Sequence, residues 1–135
     1  HIPYWKLREN KRCQTISFHT LLERIPEFHR SISNRFEGLG EEMGCYIQPI
    51  ERARACYCEY GLSYDPLDSK DMRQARQFYN DLNEFLYQKG AFFTRPYGIQ
   101  SEIVYSRNAQ YGVILKELKR IFDPNNIMNP GKLCF

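Results

Sequence analysis

No run of apolar residues in this chain approaches the ~20 needed to cross a bilayer. The opening residues, His1-Ile-Pro-Tyr-Trp-Lys6, hold no signal-peptide core either, so neither a span nor a leader is expected. Histidine is scarce: three residues, none beside a cysteine pair in sequence. Cys56-x-Cys58 lacks the two-residue spacer and the second ligand pair of a zinc site, so no metal is expected and the pair reads as small buried hydrophobes. Five cysteines are an odd number in no scaffold spacing. They point to reduced thiols and a cytoplasmic location. Net charge is small, +3, and the basic clusters at residues 6–12 and 116–120 read as solvated faces. Internal repeats and low-complexity segments are also missing.

What is present is aromatic. The 135 residues are 42% hydrophobic and 15% aromatic, with 10 Tyr and 9 Phe. That composition excludes intrinsic disorder and suggests planar surfaces in the core or against a flat ligand. The length suffices for one domain with a real core. A chain that begins at His is expected to be a piece of a longer gene product.

Alternation and β-formers over residues 13–19 predict a strand. Pro26 suits a first helical turn, and Phe28, Ile32 and Phe36 predict a helix ending near residues 38–40. Residues 45–50 read as a short strand, with Pro49 at an edge or end. Residues 52–64 read as a longer strand with period-two character. Asp68 or Ser69 can cap the next helix, which presents Met72, Ala75, Phe78, Leu82 and Phe85 and stops at Gly90. Residues 91–105 read as extended chain around a loop at 95–98. A last helix over residues 109–122 shows Tyr111, Ile114, Leu115, Leu118 and Phe122 to a partner surface. The expected fold is α+β: a ferredoxin-like antiparallel sheet with helices on one face, plus a C-terminal helix and extended tail.

The strand at residues 52–64 carries the most informative side chains. Residues two apart share a face, so Arg52, Arg54, Cys56, Cys58 and Tyr60 lie together, with Tyr57 and Glu59 opposite among Ala53, Ala55 and Gly61. The Cys/Tyr60 face suits packing on helices; the Tyr57/Glu59 face suits a roof over a flat ligand. The plainer reading of Glu59 is a solvent-facing carboxylate on an open sheet. In Phe92-Phe-Thr-Arg-Pro-Tyr-Gly98, aromatics flank Arg95, whose planar donor fork suits a carboxylate or phenolate. Tyr97 can stack on a ligand or donate to the same anion. The plainer reading of Arg95 is a stem packed on aromatic rings.

Three stretches, Gly44-Cys-Tyr-Ile-Gln-Pro49, Gly90-Ala-Phe-Phe-Thr-Arg-Pro-Tyr-Gly98 and Phe122-Asp-Pro-Asn-Asn-Ile-Met-Asn-Pro-Gly-Lys132, together resemble the vanillyl-alcohol oxidase / p-cresol methylhydroxylase family of FAD-linked oxidases, in its 4-cresol-dehydrogenase-like branch. The resemblance implies that residues 1–104 are the second half of a substrate cap, and that residues 105–135 are a C-terminal helix and tail returning to an N-terminal FAD-binding domain. The family's glycine-rich pyrophosphate-binding region is absent, so FAD would be held mainly by that other domain and the chain alone would be inactive. The implied reaction is hydride transfer to the flavin from a small organic substrate, a para-substituted phenol or alcohol or a 2-hydroxy acid. Arg95 and Tyr97 would hold the anionic group, Glu59 would act as base or hydrogen-bond partner, and Tyr57 and Phe93 would line the substrate. Asn129 and Lys132 would contact the FAD domain or flavin. Thr94 precedes Arg95 where the family has Tyr, and Tyr97 follows instead; that departure leaves the acid substrate open.

Two other classes fit the same elements. A ferredoxin-like sheet with aromatics can bind RNA, but residues 52–60 lack the glycine–aromatic run of that motif, so no nucleic acid is expected. A stand-alone ligand-binding or dimerisation module is compatible with the fold, and a homodimer is left open.

Overall fold

A computed structural model describes residues 11–37 and 43–130. The chain forms two compact units, His1–Phe92 and Phe93–Phe135. In the first, strand β1 (Arg12–Leu21) leads through a 3-10 turn into helix α1 (Ile25–Arg35). Strands β2 (Met43–Ile50) and β3 (Ala55–Tyr64) form a hairpin, and helix α2 (Ser69–Gln88) follows. The sheet is antiparallel in the order β1-β3-β2. β1 and β2 therefore run parallel with β3 between them, the split arrangement expected. Where a fourth strand would extend the sheet beyond β1, a single antiparallel bridge joins His19 to Phe92.

The core lies on one face of this sheet. Ile16, Phe18, Cys56, Cys58, Tyr60 and Leu62 are buried there, as are Phe28 and Ile32 of α1 and Ala75, Phe78, Leu82 and Leu86 of α2. Phe18 packs against Phe28 with ring centroids 5.2 Å apart and stacks on Tyr60 at 6.2 Å. Burial pushes the Cys58 thiol up to about 12, in keeping with a cysteine that serves as a small apolar filler.

Local chemistry sets the helix ends. Pro26 occupies the first turn of α1, where its missing N–H is harmless. Asp68 caps α2: its carboxylate accepts the backbone N–H of Lys70 at 2.8 Å. α2 closes where Gly90 takes φ +80°, a conformation that favours glycine. The buried stripe of α2 ends on Leu86 rather than Phe85, and Met72 is exposed. Asn83 joins that stripe because its amide donates to the Tyr79 carbonyl at 2.8 Å, which satisfies it inside the core.

Two expected extended segments differ. The long strand begins at Ala55, because Glu51, Arg52 and Ala53 form the hairpin turn with φ of 50°, 55° and 62°. Arg52 and Arg54 therefore leave the Cys56/Cys58/Tyr60 face. In the second unit, residues expected to be extended form helix α3 (Ile99–Ser106), with Gly98 at its N-cap. Ser101 Oγ donates back to the Gly98 carbonyl at 2.7 Å. Helix α4 (Ala109–Phe122) packs on α3 through Gly112, which is buried; a Cβ there would lie 3.6 Å from the Tyr105 carbonyl oxygen. The Tyr105 and Tyr111 rings stack at 6.1 Å.

Candidate functional site on the open sheet face

Alternation places one set of side chains on the face of the sheet opposite the helices. The register arranges them in two cross-strand rows. Ser17, Glu59 and Tyr46 form one; His19, Tyr57 and Gln48 form the other. The Tyr57 hydroxyl donates to Glu59 Oε2 at 2.7 Å, and the Tyr46 hydroxyl donates to Gln48 Oε1 at 3.1 Å. The Tyr57 ring meets the His19 ring edge-on at 5.8 Å and the Tyr46 ring at 6.2 Å. Burial, then the bond to the Glu59 carboxylate, hold the Tyr57 phenol above its ordinary range, against a lowering contribution from Ser17.

The expected pair Tyr57 and Glu59 is thus brought together, both half-buried. A carboxylate joined to a phenol can accept a proton from a ligand or present a hydrogen bond to it. Tyr46, Gln48 and His19 were not singled out by the sequence, although Tyr46 and Gln48 sit within the Gly44–Pro49 stretch. Only the strand register shows that they share the face with Glu59. Among the described residues of this face there is no Lys or Arg, and among all described residues no cluster of three or more His, Cys, Asp or Glu could hold a metal ion.

The remaining candidates belong to the second unit. Phe93, Arg95 and Tyr97 share the segment leading into α3. Phe93 is 6% exposed, Tyr97 is 51% exposed and the Arg95 side chain is exposed. Asn129 is exposed with φ +50°; Lys132 lies outside the described residues.

The tail is organised by a residue the sequence did not single out. Asp123, 6% exposed, follows α4 directly. Its Oδ1 accepts the Ile127 N–H at 2.9 Å and its Oδ2 the Met128 N–H at 2.8 Å. The Lys119 ammonium bonds the same carboxylate and also the Met128 carbonyl. The Lys119 bond, with the two backbone donors, holds the Asp123 carboxyl below its usual range although burial opposes it. A lowered folded-state value means that this stabilisation is full above the ordinary carboxylate range and is lost as pH falls through the lowered value. Asp123→Ala is expected to strip the Ile127 and Met128 amides of hydrogen-exchange protection, leaving β1–β3 protected as before. Retained protection would show that the turn holds without the carboxylate.

No curated protein and no solved structure matches the chain. Residues 98–133, which include α3, α4 and the Asp123 turn, match the family model for the C-terminal domain of FAD linked oxidases.

Proposed function

We propose that this chain is the C-terminal portion of an FAD-dependent oxidoreductase, comprising part of its substrate cap and its closing tail. The observation that carries the reading is the family match over residues 98–133. The open sheet face supports it. Two phenols, an amide, an imidazole and a carboxylate on one planar surface fit a roof over a flat ring and the small substrate beneath it. The donor set offers no cradle for a pyrophosphate, so the dinucleotide would be held mainly by an N-terminal FAD-binding domain of the same gene product. When bound, the flavin supplies the two-electron acceptor.

In this reading Glu59 takes or relays the substrate's proton, with Tyr57 fixing its carboxylate. In the second unit, Arg95 and Tyr97 are the groups that would meet an anion, the phenolate of a para-substituted phenol or the carboxylate of a 2-hydroxy acid, and Phe93 belongs to the same segment. Such a branch resembles 4-cresol dehydrogenases. Asn129, Lys132 and the exposed side chains of α4, among them Ile114, Leu118 and Phe122, meet the FAD-binding domain. A chain lacking that domain is inactive. The nucleic-acid alternative is disfavoured by a sheet face that carries a carboxylate and no described cation, since phosphate binding needs cations.

The test uses the natural polypeptide, captured with an antibody to this chain. A longer protein with a flavin absorption spectrum supports the reading; a colourless protein of this length overturns it. In that holoenzyme, Arg95→Ala is expected to lower kcat/KM for an anionic substrate about ten- to a hundredfold, the loss of a charge-assisted hydrogen bond. Flavin content and melting temperature should be unchanged. An unaltered kcat/KM would remove Arg95 from the site.

A further inference from the structure

At the end of the sheet where β1 leaves for its 3-10 turn, a pocket of about 400 Å³ opens. Leu21, Ile50, Ala55 and Phe92 give it apolar walls, and His19 and Arg24 supply polar groups. Its size is in the range used for small organic ligands.

Arg24 is held as a fixed cation. Its Nε and Nη2 donate to Glu27 at 3.2 Å, Nη2 also donates to the Lys89 carbonyl at 2.8 Å, and its guanidinium lies 4.9 Å over the Phe28 ring. Its Nη1 finds no acceptor among the described residues. That nitrogen borders Gly90, where a Cβ would come within 3.3 Å of it, so the glycine keeps the approach to this N–H open.

His19 is placed with equal firmness. Its backbone exchanges two hydrogen bonds with Phe92, at 2.8 and 2.9 Å. Its ring touches Tyr57, while its ring nitrogens make no hydrogen bond among the described residues. The same two backbone bonds anchor Phe92, whose ring is nevertheless 65% exposed. Glu51, an acid that also lines the pocket, is largely solvated and lies 3.9 Å from Arg54.

A preorganised cation with an unused N–H, an imidazole with unused ring nitrogens and an anchored aromatic ring form one recognition set. We propose that this pocket binds a small aromatic carboxylate, with its ring against Phe92 and Leu21 and its carboxylate against Arg24 and His19. The proposal uses only residues of the first unit and does not depend on the flavoenzyme reading.

Benzoate is the probe, titrated into the 135-residue chain by calorimetry and by following the ring resonances of His19 and Phe92. Benzyl alcohol, which lacks the charge, and acetate, which lacks the ring, are the controls. Saturable benzoate binding that neither control reproduces is expected, weakened at least about tenfold by Arg24→Gln and by Phe92→Ala. Because Arg24 also has structural contacts, circular dichroism accompanies each variant. If Arg24→Gln unfolds, Phe92→Ala and His19→Gln decide the matter, with weakening by both expected. Lack of saturation up to about 10 mM benzoate, equal binding of benzyl alcohol, or indifference to the folded variants overturns the proposal.

Discussion

Glu59→Gln in the flavin-bearing polypeptide is expected to lower the rate of flavin reduction by substrate about 10²- to 10⁴-fold, the range supplied by a positioned general base. Glutamine keeps the volume and can still accept the Tyr57 hydroxyl, which now bonds Oε2 at 2.7 Å. It cannot take up a proton. The loss should therefore appear in single-turnover flavin reduction, without a matching change in melting temperature or flavin content. Tyr57→Phe tests the other half of the pair: it removes the donor that orients the carboxylate while leaving the carboxylate able to accept a proton. Its defect should be the smaller of the two and should alter the pH profile of the reductive step. If Glu59→Gln reduces the flavin as fast as the parent, Glu59 is only a carboxylate on a sheet surface.

Phe18→Ala should destabilise the first unit by about 3–5 kcal/mol, the range for emptying a core aromatic site. Phe18 is fully buried between Phe28 of α1 and Tyr60 of β3. Its removal cuts the contact joining sheet and helix at the centre of the layer. Chemical denaturation should show a lower midpoint at an unchanged slope. Phe92→Ala is the control: its exposed ring should shift stability by no more than about 0.5 kcal/mol. Alkali acts on both faces of the same sheet, on Tyr60 in the core and on Tyr57 on the open face. Burial raises the Tyr60 phenol, and burial with Glu59 raises that of Tyr57. Raised folded-state values leave stability intact below the ordinary tyrosine range, about 10, and lose it as pH climbs through the raised values. A Phe18→Ala chain with the parent's midpoint would mean that the core repacks around the gap.

The sheet and its two covering helices could be read from periodicity because their patterns are unambiguous. Phe28 and Ile32 at a step of four, and Cys56, Cys58 and Tyr60 at a step of two, admit one buried face each. The start of β3 could not, because the hairpin turn at Glu51, Arg52 and Ala53 takes left-handed backbone angles without a glycine or asparagine to announce it. α3 was hidden for the opposite reason. Ile99, Ile103 and Val104 carry the β-branched signal of extended chain, and the helix forms through Gly98 at its cap and its packing on α4. In the site, Tyr57 and Glu59 share a face by sequence parity alone. Tyr46, Gln48 and His19 join them only through the pairing register, which is a long-range property. Asp123 sat within a recognised turn motif, but its role depends on a lysine one helical turn upstream and on backbone donors that no composition reveals.

The single rung between His19 and Phe92 has a consequence for how the first unit behaves as a material. β1 is an edge strand of ten residues, and its outer side meets a neighbour at one point among the described residues. An edge of that kind is a growth front, onto which another extended segment can add by main-chain pairing alone. Concentrated solutions of the isolated unit would therefore tend toward stacking by strand addition, while any segment that occupied the edge would act as a chain terminator.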